Sequence, residues 1–316
     1  MTRITTAAQE NQILAFMQQN QSQLDKLSAE VSSGVVAQNY SGIAPQSENL
    51  VNLKAQVASQ QDFNNTINTV SSRLQIMNLS IAQIQKSVEG FRELIPNGAF
   101  STQQPTVQTQ AKQLLLQVAG LLNTQDGTRY LFSGTAANTP PVDTSQLPTS
   151  PPSLATPVNG PPSSGGYYAG GGPIPPAKID TQFTIDYGIS AQDASTFEPI
   201  IRVLNFIANT PSFSSSSATD AANLQTCANL LDGADGALTT MGGNIGLQEA
   251  QLASTQALHT STINVAQNGI SGIQSVDQAT VITQLNQLDT QIQASFAATS
   301  QIDKLSLVNF LGGSAT

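Results

Sequence analysis

A chain of 316 residues with 39% hydrophobic content is long enough for two domains and a sizeable core. Its formal charge of −9 and its 11 lysines and arginines, scattered along the chain, exclude a nucleic-acid binder, which needs clustered cations to neutralise phosphates. Only 10% of residues are charged and none is tryptophan, so glutamine, asparagine, serine and threonine fill the polar positions. Such surfaces suit packing against other protein.

Taken in order, the start of the chain, Met1 to Gln12, is polar and lacks the apolar run of a cleaved secretory signal. No apolar stretch approaches the length of a bilayer span, so membrane insertion is not expected. Ile13, Met17, Asn20, Leu24, Leu27 and Val31 then recur at three- and four-residue spacing, which predicts a helix with a heptad seam ending near Gly34. Residues 39–45 read as a connector broken by Gly42 and Pro45.

The longest signal follows. Ile67, Val70, Leu74, Met77, Ile81, Ile84, Val88 and Phe91 hold the same spacing without interruption, and Leu53, Gln56, Gln60 and Phe63 extend it upstream. Proline is absent between Pro45 and Pro96, so a rod of roughly 70 Å is predicted, and it needs equally long partners. The rod is expected to end at residues 96–98, before a third helical segment over about 104–123. Asp126–Gly127 marks a turn, and residues 128–134 read as a short strand pair.

From Thr135 the composition changes. Residues 135–188 hold 11 of the 16 prolines and four charged side chains, Asp143, Lys178, Asp180 and Asp186. Four Pro–Pro pairs forbid helix, and only residues 178–187 alternate as a strand does. This predicts a small, loop-rich β insertion, outward-facing and dispensable for assembly, with a polyproline ligand as the sharper alternative. Tyr167–Tyr168 stand out in it as an exposed aromatic pair able to serve an adhesin.

Helix resumes after Ser195–Glu198, a capping-box spacing, through Ile200, Ile201, Leu204 and Ile207. A long helical region starts near Asp220, with interruptions expected at residues 232–236, 241–246 and 269–272, where glycines gather. The last seam is Val281, Leu285, Leu288, Ile292 and Phe296, continued by Ile302 and Leu305. The fold class is therefore mainly α: a long coiled-coil bundle built from both termini around a small β insertion. Its expected parts are 1–44, 45–134, 135–190, 191–268 and 269–316.

Chemistry is hard to find. His259 is the sole histidine, read as solvated or at an interface, and Cys227 the sole cysteine, read as a small apolar core residue. No phosphate loop, paired carboxylates or metal-ligand spacing stands out, so neither an enzyme nor a cofactor is expected.

Three stretches carry a resemblance. Residues 29–34, Ala-Glu-Val-Ser-Ser-Gly, resemble the turn after the first helix of bacterial flagellins, with Val35 where that family carries lysine or asparagine. Residues 243–252 resemble the start of the family's long C-terminal helix, and 276–311 its polymerisation helix. Within the family, residues 122–135 followed by Pro140-Pro-Val142 are most similar to the hook–filament junction branch. The resemblance implies a structural subunit of the flagellum, exported unfolded through a type III route without signal cleavage and located outside the cell. Its implied partners are copies of itself in a tubular assembly, neighbouring hook-associated protein and flagellin, and an export chaperone. The terminal seams would carry assembly, and residues 67–91 the rod. Filament flagellin is the alternative, and an exported adhesin or coiled-coil effector a more distant one.

Overall fold

The computed structural model describes the backbone of residues 2–37, 39–95, 104–149, 153–214 and 216–312, and side chains within those ranges from 11 to 301. Six helices account for most of it: α1 (Thr2–Ser33), α2 (Ser47–Arg92), α3 (Gln104–Leu122), α4 (Phe197–Asn209), α5 (Ala218–Gln274) and α6 (Gln278–Gly312). Two antiparallel two-stranded hairpins complete the list: β1 (Gln125–Asp126) with β2 (Arg129–Tyr130), and β3 (Ala177–Lys178) with β4 (Thr184–Ile185). The chain divides into two compact units, Met1–Ala58 with Thr262–Thr316, and Ser59–Ser261. The predicted rod end at residues 96–98 lies outside the described residues.

In the first unit α1 packs along α6. Gly34 ends α1 with a left-handed φ of 72°, a conformation open to glycine at little cost, and its amide bonds Glu30 O at 2.8 Å. The chain then pairs with the junction of α5 and α6: Val36 N donates to Gln274 O at 2.8 Å, and Val276 N to Gly34 O at 3.1 Å. Asp277 caps α6 by accepting from the amides of Ala279 and Thr280. The predicted connector is a 3-10 turn, Tyr40–Gln46, opened by Asn39, whose side chain accepts from Gly42 N. Ile43, Leu50, Ala266 and Val281 are each buried in this unit.

In the second unit α2 and α5 lie antiparallel. Asn68 meets Gln256 at 2.7 Å, Gln85 meets Asp235 at 2.9 Å, and Arg92 meets Asp232 at 2.8 Å. The eight seam residues from Ile67 to Phe91 are all buried, none more than 5% exposed. Upstream the structure departs from the predicted register: Gln56 is exposed while Val57 turns inward, a one-position slip where the seam becomes polar.

The partner seam lies on α5. Leu231, Leu238, Ile245, Leu252 and His259 are spaced by seven and all buried. That packing overrides the local cost of glycine, so α5 runs unbroken through 232–236, 241–246 and 269–272, where interruptions were expected. On α3, Val107, Ala111, Leu114, Leu115, Val118 and Leu122 are buried, and α3 packs against α4. The side chain of Gln104 donates to Pro211 O at 2.7 Å, and that of Gln108 to Thr210 O.

The insertion joins the same core. Phe132 meets Phe197 edge-on at 5.9 Å, and Tyr167, Ile179 and Ala191 are fully buried. Tyr167 and Tyr168 are thus not an exposed pair: the Tyr167 hydroxyl donates to Ala191 O at 2.8 Å, and that of Tyr168 to Gly171 O at 2.7 Å. The expected strand over 178–187 is a hairpin whose β3 and β4 flank a turn, and the strand pair predicted at 128–134 lies at 125–130 around Gly127. At 195–198 no capping box forms. Asp193 instead closes the turn ahead of α4, accepting from the amides and hydroxyls of both Ser195 and Thr196. Glu198 turns away to accept from Val158 N at 2.9 Å and to pair with Arg202 at 3.3 Å.

Candidate assembly interface

α1 and α6 carry the terminal seams, and their pairing leaves much of each seam half-covered. On α1, Ile13, Met17, Asn20, Leu24, Leu27 and Val31 are all intermediate in exposure, and among the described side chains of that helix none is buried. On α6, Val281 is buried, while Leu285, Leu288 and Ile292 are intermediate. Phe296 is 58% exposed, and Ser295 and Thr299 take the half-buried positions, so the stripe keeps its three- and four-residue spacing and Phe296 lies one position off it. The side chains of Ile302 and Leu305 lie outside the described residues.

A further set of apolar side chains faces outward. Leu14, Phe16, Ile282 and Phe296 are each between 46% and 58% exposed. A groove bounded by Ile13, Phe16, Asn20, Gln291 and Ala294 runs between the two helices, and Gln23, Leu27, Gln284 and Leu288 line a second. Few charges interrupt these faces; Lys26 and Glu30 pair with each other at 3.8 Å. Two helices can cover only one side of each other, so sequences built on repeating three- and four-residue spacing bury themselves fully only with further helices. Burying one such side chain stabilises by about 1.5–3 kcal/mol.

The second unit buries its own seams and several of its polar and titratable side chains. Burial pushes the Cys227 thiol up to about 12, which leaves it protonated and inert. Burial also raises the Glu198 carboxyl, against the opposing pull of Val158 N and Arg202. His259 is not solvated: it is 1% exposed, with Nε2 2.8 Å from Ile179 O. The signal for it was present in the sequence as the seven-residue spacing of α5. Among the described residues no group of three or more metal-ligating side chains comes together, and no helix is long and apolar enough to cross a membrane.

Residues 228–311 match the family of the bacterial flagellin C-terminal helical region. Among curated proteins no sequence matches the chain. Among the solved structures that share its fold are three from flagellar proteins. A protein described as a flagellar hook-associated protein of Vibrio parahaemolyticus aligns at a TM-score of 0.59 and 16% identity, over 74% of this chain and 100% of its own. FlgL of Bacillus cereus aligns at 0.52 and 15%, over 71% and 99%. Flagellar hook-associated protein 3 of Legionella pneumophila aligns at 0.54 and 14%, over 70% and 98%.

Proposed function

We infer that the chain is a structural subunit of the bacterial flagellum that joins hook to filament through its terminal helices. The observation that carries this reading is the half-covered α1–α6 pair, lying in a chain that shares its fold with hook-associated proteins and whose residues 228–311 match the flagellin C-terminal helical region. Neighbouring subunits complete the seam: copies of this chain around the tube, a hook-associated protein on one side and flagellin on the other. Ordering helical residues costs about 1–2 kcal/mol each, close to what seam burial returns, so incorporation waits for a template with contacts on several sides. The chain reaches that template by export through the flagellar apparatus, escorted by a chaperone, and acts outside the cell.

Electron microscopy of the concentrated protein, alone and with isolated hooks, tests this. The reading predicts that the protein stays monomeric alone and decorates hook ends. Long tubes formed without hooks would instead identify a filament flagellin.

A further inference from the structure

The seven-residue series on α5 ends, within the second unit, on a histidine. His259 sits where Leu231, Leu238, Ile245 and Leu252 precede it, and it is 1% exposed. Its ring stacks on Phe63 of α2 with centroids 5.6 Å apart and planes 25° from parallel. Its Nε2 lies 2.8 Å from the carbonyl of Ile179, a fully buried residue between β3 and β4. One side chain therefore touches α5, α2 and the β3–β4 hairpin at once. The next hairpin residue, Asp180, places Oδ2 4.0 Å from the same nitrogen.

We propose that His259 is a proton-operated latch: charging its imidazole tightens the seating of the β3–β4 hairpin on the α2–α5 pair, with Asp180 as counter-ion. The neutral ring already donates Nε2–H to Ile179 O, and protonation leaves that donor in place. A charge-assisted bond is roughly twice as strong as a neutral one. A charge on the ring meets the Asp180 carboxylate at 4.0 Å and the face of Phe63. Desolvation opposes it, but Asp180 keeps 30% of its side chain in solvent, so the pair is not sealed away from water. The Asp180 carboxyl is held below its ordinary range by the Thr181 hydroxyl first, with the His259 charge among the smaller causes.

The surrounding charges are few. α5 carries none from Ala250 to its end at Gln274, Asp62 on α2 is exposed beside Phe63, and the hairpin region adds Lys178 and Asp186. Two other side chains hold this hairpin region: Gln248 donates to Asp186 O at 2.6 Å, and Arg73 to the Tyr187 hydroxyl at 3.2 Å. Neither changes charge between pH 5 and 8, the interval in which imidazole ordinarily titrates. Because the chain has one histidine, proton-linked behaviour of the hairpin over that interval points to one ring.

Amide hydrogen exchange over residues 177–187 at pH 5.5 and pH 8, with exposure times scaled for the intrinsic pH dependence, tests the latch. Wild-type protein should be up to about five-fold better protected at pH 5.5, the range of a partly exposed ion pair. His259→Gln, whose amide can still reach the carbonyl, should abolish the difference, and Asp180→Asn, which removes only the counter-ion, should reduce it. Asp180→Asn, which removes no buried group, carries the test alone where His259→Gln fails to fold. Equal protection at the two pH values, weaker protection at pH 5.5, or a difference undiminished in Asp180→Asn would overturn the proposal.

Discussion

Asp193 shows how one side chain fixes a boundary that local pattern misplaced. The Ser195–Glu198 spacing reads as a capping box, yet the Asp193 carboxylate takes both amides and both hydroxyls. Burial raises its carboxyl, but those four donors outweigh it and hold it below the ordinary range. A depressed folded-state value contributes stability that is present above the unfolded value, near 4, and lost as pH falls through the folded one. Asp193→Ala should therefore cost about 1 kcal/mol at pH 7, and the difference from wild type should vanish toward pH 2 in urea titrations. Cys227 makes the complementary point. Fully buried and with its thiol raised to about 12, it should resist thiol reagents in native protein and react fully in denaturant, which mass spectrometry after alkylation will show.

At the scale of elements, the α2 seam separates apolar positions that look alike by composition. Leu74 is fully buried and Leu79 is 72% exposed on the same helix. Leu74→Ala should lower stability by about 2–5 kcal/mol, and Leu79→Ala should leave the thermal midpoint nearly unchanged. The rod seam was legible because three- and four-residue spacing over 25 positions has only one helical reading. The α5 seam was less so, since its alternate core positions are Gln248 and Thr255, and glycines at 233, 236, 242, 243 and 246 mimic helix breaks. Tertiary contact with α2 supplies what local propensity lacks. The exposure of the Tyr167–Tyr168 pair was misjudged for a similar reason: prolines mark loops but do not show what lies beneath them, and Tyr167 is buried by residues distant in sequence, as its bond to Ala191 shows.

For the whole molecule, that burial gives residues 135–188 a part in the core of the second unit. Tyr167, Tyr168 and Ile179 share one core with α2, α3, α4 and α5. A chain lacking 135–188 should lose cooperative unfolding, checked by calorimetry. The first unit presents the opposite case, helices whose seams stay half-covered while the second unit buries its own. This contrast is what ties the architecture to assembly, and Leu285 and Leu288 are its most direct handles. The decisive measurement is the amount of Leu285→Asp plus Leu288→Asp protein recovered in purified flagella, set against the amount exported to the medium. The account predicts normal export with almost no incorporation; recovery in flagella at the wild-type level would contradict it.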